Sequence, residues 1–131
     1  MIAVLTALDR LMTALGLNYE YLEYSTSPPP YPYWVGEYNG GDPGTEDGQT
    51  AADILLTGWT RDSKLGLELE HQKIKDATEN GWRVYIEADP AEGRDRAARA
   101  AIFYSSSLPV PSGEEGLSRV QITLQIKLWK G

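Results

Sequence analysis

The sequence predicts an α+β domain, in which a mainly antiparallel β-sheet of four to five strands carries two helices on one face. Three observations support this prediction. The C-terminal stretch 117–130 alternates apolar and polar residues, as a half-buried strand does. Two other stretches repeat apolar residues at three- and four-residue steps, which is typical of amphipathic helices. Two helices are too few to alternate with every strand, and this argues against a parallel sheet.

The first element in the chain is predicted to be a helix over about residues 2–15. Leu5, Leu8 and Leu15 repeat at helical spacing and form one broad apolar stripe. Gly16 follows directly and suits the left-handed position at which many helices end. We therefore expect this helix to pack its leucine stripe on the sheet.

A second helix is predicted in the middle of the chain. Asp62 or Ser63 suits its N-terminal cap, and the helix then runs to about Glu79. Leu67 and Ile74 lie at helical spacing and should join the same apolar layer.

The strands are recognised by alternation and by β-branched or aromatic residues. Strands are predicted at 18–24, 33–38, 52–60, 101–108 and 117–130, and 82–86 alternates like a short strand. The last two long strands are expected to pair as an antiparallel hairpin. Between the elements, we expect a polyproline passage at 25–30, a long acidic loop at 39–49 and one or two helical turns within 89–100.

The C-terminal strand is the clearest of these elements. Every even-numbered position from Val120 to Leu128 is apolar, and the positions between them hold Gln, Thr and Lys. Successive side chains of a strand point to opposite faces of the sheet. One face is therefore expected to pack on the core, while the other contacts water.

The predicted strand 52–60 is apolar on both faces. Ile54 and Leu56 fall on one side, and Leu55 and Trp59 fall on the other. A strand of this kind is usually covered on both faces, and two helices supply little material for a second covering. We therefore expect the second covering to come from another subunit.

Composition limits the kind of protein this is. The 131 residues fit a single domain, 1–131, and the chain contains no cysteine for disulfides or thiolate chemistry. The net charge of −7 argues against general nucleic-acid binding. No apolar run approaches the length of a membrane span, and the N-terminus lacks the basic flank of a signal peptide.

A catalytic signature is missing from the sequence. Neither a P-loop, a Rossmann glycine pattern nor a G-x-S-x-G elbow occurs. The single histidine, His71, lies beside the apolar stripe of the second helix, where a packed or boundary role is expected. We predict a protein that is not an enzyme, with no catalytic residues, no cofactor and no metal site.

Aromatic residues are concentrated near the N-terminus. Seven of the twelve Tyr and Trp residues fall between Tyr19 and Tyr38. Such side chains favour partly wet protein–protein interfaces, although strand packing accounts for them equally well. The candidate subunit or partner interface residues are Tyr33, Trp34, Tyr38, Leu55, Trp59 and Trp129.

Three segments together resemble the tail terminator, or tail completion, proteins of long-tailed bacteriophages and prophages. They are I-L-L-T-G-W-T-R at 54–61, A-I-F-Y-S-S-S-L-P-V-P at 101–111 and S-R-V-Q-I-T-L-Q-I-K-L-W-K at 118–130. The order of elements and the chain length are also similar to those of this family.

The resemblance implies a structural virion protein, made in the bacterial host cytoplasm and located in the virion tail. Such proteins form a homo-oligomeric ring, typically a hexamer, which caps the tail tube, stops its elongation and joins it to the head–tail connector protein. The implied partners are thus other copies, the tail tube protein and the connector. DNA would only pass through the lumen, and no membrane is involved. The alternatives are an aromatic-rich module that binds a peptide or glycan, and a small hydrolase that uses carboxylates.

Overall fold

The α+β class is confirmed by the structure, a computed structural model that describes residues 2–22, 30–42, 49–61, 64–94, 96–109 and 116–130. The helices are α1 (Ile2–Ala14) and α2 (Lys64–Thr78). The strands are β1 (Tyr19–Tyr21), β2 (Tyr33–Asp42), β3 (Gln49–Thr60), β4 (Trp82–Ile86), β5 (Ala98–Pro109) and β6 (Ser118–Lys130). A single 3₁₀ turn, Pro90–Glu92, lies in the described part of the chain, between β4 and β5.

All six strands belong to one curled sheet, with the order β1-β2-β3-β6-β5-β4. Four of the five strand pairings are antiparallel, and β1 pairs with β2 in parallel, so the sheet is mixed. The expected hairpin between the last two strands is confirmed as the β5–β6 pair. The sheet has six strands where four to five were expected, because both 19–21 and 82–86 form edge strands.

The core lies between the two helices and one face of this sheet. Along the central strands β3 and β6, every described even-numbered residue from Ala52 to Thr60 and from Val120 to Leu128 is buried. Both helices contribute to the same cluster, with Leu8, Leu67 and Ile74 buried and with Leu5 and Leu15 packed against it. The predicted facing layer is therefore confirmed. Each fully buried Leu or Ile contributes about 1.5–3 kcal/mol to the free energy of unfolding.

Trp34 is the largest side chain in this core and is fully buried. Its ring extends from β2 over Gly58 of β3, and its indole Nε1 donates a hydrogen bond of 2.8 Å to a carboxylate oxygen of Glu70 on α2. The polar N–H of a buried indole needs such an acceptor, so this bond fixes how α2 lies over β2 and β3.

The bounds predicted for the first helix agree with the structure to within a few residues. Helix α1 ends at Ala14, and Gly16 has the left-handed φ of +71° that was expected there. The amide of Gly16 donates to Thr13, and that of Leu17 to Met12, which satisfies two carbonyls at the helix end.

Other boundaries differ more. The strand predicted at 18–24 is only Tyr19–Tyr21 in the described residues, and β2 continues to Asp42, into the predicted loop 39–49. The rest of that loop, 43–48, and most of the proline-rich segment, 23–29, lie outside the described residues. Within 89–100, the expected helical turns are a single 3₁₀ turn closed by Gly93, and β5 already begins at Ala98.

Arg10 ties α1 to the end of β4. Its Nη2 is 2.6 Å from Oε1 of Glu87, and its Nη1 donates to the carbonyl of Tyr85 at 2.9 Å. The hydrogen bond from Arg10 holds the pKa of Glu87 below its ordinary value of 4.5. Because the folded pKa is the lower one, this pair stabilises the fold above the unfolded pKa. The contribution is lost as the pH falls through the folded pKa.

We expect Glu87→Gln to lower the melting temperature at neutral pH, because the ion pair with Arg10 is removed. The difference from wild type should vanish in strong acid, where Glu87 is protonated in both states. Thermal melts between neutral pH and strong acid measure this difference in melting temperature. Glu79→Gln, the same change at an exposed glutamate, is the control. A difference that persists unchanged into strong acid would contradict the assigned role of the ion pair.

Candidate functional site

The sheet face opposite the helices is the candidate site, and we refer to it as the outer face. It carries the odd-numbered side chains of β3 and β6, and no described helix packs on it. Six large side chains of this face are partly buried, namely Tyr33, Val35, Leu55, Trp59, Phe103 and Trp129, whereas Tyr85 and Leu108 are exposed. Threonine, glutamine and charged side chains lie between them on the central strands. A partly wet surface that combines aromatic and aliphatic side chains with polar ones is typical of protein–protein interfaces.

At one end of the outer face, three aromatic rings and a guanidinium form a row, which we call the aromatic row. Tyr31 and Tyr33 have centroids 5.6 Å apart, and Tyr33 stacks on Trp59 at 6.3 Å with 12° between the planes. The guanidinium of Arg119 lies 4.9 Å from the centroid of Trp59. The sheet register produces this arrangement, because Tyr33, Trp59 and Arg119 are direct cross-strand neighbours on β2, β3 and β6.

Desolvation within the aromatic row affects the phenol of Tyr33. Burial is the main cause that raises the pKa of Tyr33, and Tyr31 adds to the effect. Nearby Arg61 opposes it. Tyr33 is therefore a neutral hydrogen-bonding group at physiological pH, and the row presents one cation, Arg119, beside uncharged rings.

Leu55 occupies the middle of the outer face. It pairs with Glu37 on β2 and with Thr123 on β6. Along β3, buried residues alternate with partly buried ones, as expected for a strand that is apolar on both faces. Within the described residues, the helices cover only the even-numbered side of β3.

Trp129 lies on the outer face but at its opposite end. It pairs with Arg99 on β5 and with Gln49 on β3. Arg119, beside Trp59, is ten positions earlier on the same strand, which corresponds to about 33 Å. The register therefore gives the outer face two aromatic ends, with Leu55 between them.

Two of the six candidate interface residues do not belong to the outer face. Trp34 is wholly buried in the core, so it offers no surface to a partner. Tyr38 pairs with Ile54, which places it on the helix side of the sheet, where it is 43% exposed. The reason is the strand register, because the even-numbered positions of β2 share a face of the sheet with the even-numbered positions of β3.

Arg119 is the member of the site that the sequence did not single out. It lies in an alternating strand where a charged residue on the wet side is ordinary. Only its register with Trp59 across β3 reveals that it stacks on an aromatic ring.

His71 has the packed boundary role that was expected. Its Nε2 lies 2.9 Å from the hydroxyl of Tyr104, and its Nδ1 lies 3.6 Å from Glu68. The described residues contain no group of three or more His, Cys, Asp or Glu side chains that could hold a metal ion. None of the described helices is both long enough and apolar enough to cross a membrane.

No protein-family model matches the chain, and no curated protein matches it either.

Proposed function

We propose that this chain is a structural subunit of a phage tail, which forms a ring on the end of the tail tube, stops its elongation and joins it to the head connector. The proposal begins from the resemblance of segments 54–61, 101–111 and 118–130 to tail terminator proteins. Its partners would be other copies of the chain, the tail tube protein and the connector protein. In this proposal the protein acts by binding and not by catalysis.

The observation that supports the proposal most is the outer face. A six-stranded sheet buries one face under two helices and leaves the other face without a described layer. That face carries Leu55, Trp59 and Trp129 among polar and charged side chains, and large partly buried apolar residues of this kind mark surfaces that another protein covers. The segments that carry the resemblance include β6 and most of β3 and β5, the strands that form most of this face.

The charge of the chain fits a passive role toward DNA. A subunit with a net charge of −7 repels phosphates on average, so DNA would cross the ring without being held.

The aromatic row disfavours the alternative of a glycan-binding module. A sugar stacks on an open aromatic face, but Trp59 has Tyr33 on one neighbouring strand and Arg119 on the other. Both neighbours lie against the ring of Trp59. The aromatic row therefore offers a partner its edges and not a flat, open ring face.

Disruption of this gene in a phage or prophage that carries it tests the proposed function. We expect tails of uncontrolled length that remain separate from heads, because nothing would stop tube growth or offer a connector surface. Negative-stain electron microscopy of the lysate measures tail length and attachment, and complementation with the intact gene is the control. Normal, infectious virions from the disrupted genome would refute the proposal.

A further inference from the structure

Charges of opposite sign occupy opposite halves of the outer face. On β1, β2 and β3, the described charged side chains of this face are all acidic, namely Glu20, Glu37 and Asp53. On β4, β5 and β6, they are all basic, namely Arg83, Arg99, Lys127 and Arg119. We call the first set the acidic half and the second set the basic half.

Several charges of these halves do not pair with one another within a subunit. Neither Glu37 nor Asp53 forms an ion pair in the described part of the chain, and the same holds for Arg99. The two halves meet at the adjacent strands β3 and β6, where Asp53 pairs with Gln125 and Lys127 pairs with Ala51. Arg83 only reaches carbonyls of the turn before β4, and Lys127 lies over the ring of Phe103. Each half therefore keeps charge that a second molecule can meet.

The basic half also ends in an exposed tyrosine at the sheet edge. Tyr85 on β4 is 54% exposed and is the cross-strand neighbour of Arg99. Exposed ion pairs alone contribute little affinity, whereas aromatic and arginine side chains anchor interfaces. Tyr85 and the arginines of the basic half therefore supply anchors beside the charges that pair.

We propose that the acidic half of one copy binds the basic half of the next copy, through Glu37 and Asp53 on one side and Arg99 and Lys127 on the other. Two different surfaces then meet at each contact, and head-to-tail contacts of this kind form a ring when the rotation from one subunit to the next closes. This inference rests on the proposed function, because it names the surfaces by which neighbouring subunits of the ring meet. The opposite signs also prevent two acidic halves or two basic halves from associating.

Charge reversal in the full-length chain tests the contact. One variant is Glu37→Lys with Asp53→Lys, and the other is Arg99→Glu with Lys127→Glu. Each variant alone should lose self-association, with the dissociation constant raised about tenfold or more. An equimolar mixture should regain it, because the reversed half of each variant now complements the reversed half of the other. Sedimentation velocity measures the masses, and high salt should weaken the wild-type assembly.

The controls separate this contact from folding. Lys73→Glu and Glu79→Lys reverse exposed charges on and just after α2, away from the outer face, and should leave the mass unchanged. Circular dichroism and thermal melting should show that both double variants fold like wild type.

Each other outcome overturns the inference in a recognisable way. A wild-type assembly whose mass both double variants retain would exclude the contact and leave the proposed ring intact. A mixture that stays dissociated would exclude complementarity of the two halves. Duplex DNA binding by wild type that Arg99→Glu with Lys127→Glu abolishes, at unchanged mass, would assign the basic half to nucleic acid instead. A wild-type chain that stays monomeric alone and with tail tubes would overturn both the contact and the proposed function.

Discussion

Gly58→Ala should destabilise the fold by about 1–3 kcal/mol, which is the usual cost of overpacking a core. An added Cβ would lie 2.6 Å from Cζ3 and 2.7 Å from Cη2 of the Trp34 ring. That ring is fully buried and is held by its hydrogen bond to Glu70, so it has little room to move. For a domain of this size, each kcal/mol lowers the melting temperature by roughly 4 °C. Thermal melting and urea unfolding both measure this loss.

A double-mutant cycle tests whether contact with the Trp34 ring causes the loss of stability in Gly58→Ala. In a Trp34→Leu background, the added methyl group meets a smaller side chain, so Gly58→Ala should cost much less there. Thr57→Ala, at the neighbouring position on the outer face of β3, is the control for the change of strand residue. An equal cost of Gly58→Ala in both backgrounds would show that backbone conformation, and not the Trp34 contact, sets the requirement for glycine.

Trp129→Glu should impair assembly far more than folding. Trp129 is partly buried on the outer face and lies near the end of β6, so its loss removes little of the core. The change removes an aromatic anchor from the surface, and a carboxylate at that position would lie opposite Arg99 of β5 and draw its guanidinium away from a partner, so binding free energy is lost. We expect oligomer mass or tube binding to be lost, while the melting temperature changes by only a few degrees.

Thr13→Glu is the matched control for Trp129→Glu, since it makes the same charge change at an exposed position of α1. It should leave both assembly and stability near wild type. Light scattering together with thermal melting distinguishes the outcomes. Equal loss of assembly and of folding in Trp129→Glu would refute the assignment of Trp129 to an interaction surface.

Local pattern predicted most of the elements in this protein. The alternation from Val120 to Leu128 identified the buried face of β6, and the spacing of Leu8 and Leu67 identified the helical layer on it. These predictions succeeded because strand and helix periods are properties of neighbouring residues. The edges of the sheet were harder, since β1 and β4 are three and five residues long and carry little periodic signal.

The site was predicted less completely. Leu55, Trp59 and Trp129 were correctly placed on the face opposite the helices, because their parity follows from the strands that contain them. Trp34 was expected at an interface but is buried in the core. Its sequence neighbours form an ordinary aromatic strand, and only Gly58 on the adjacent strand provides the space that receives its ring.

Local sequence patterns were therefore sufficient to predict the α+β class, the two helices and the buried faces of β3 and β6. The tertiary structure decided which distant residues meet: Tyr33 with Trp59, Trp59 with Arg119, and Trp34 with Glu70. It also decided that the charges of the outer face separate into an acidic half and a basic half. The physical reason is strand register, which joins positions sixty residues apart, such as Trp59 and Arg119, and is fixed only when the whole sheet packs.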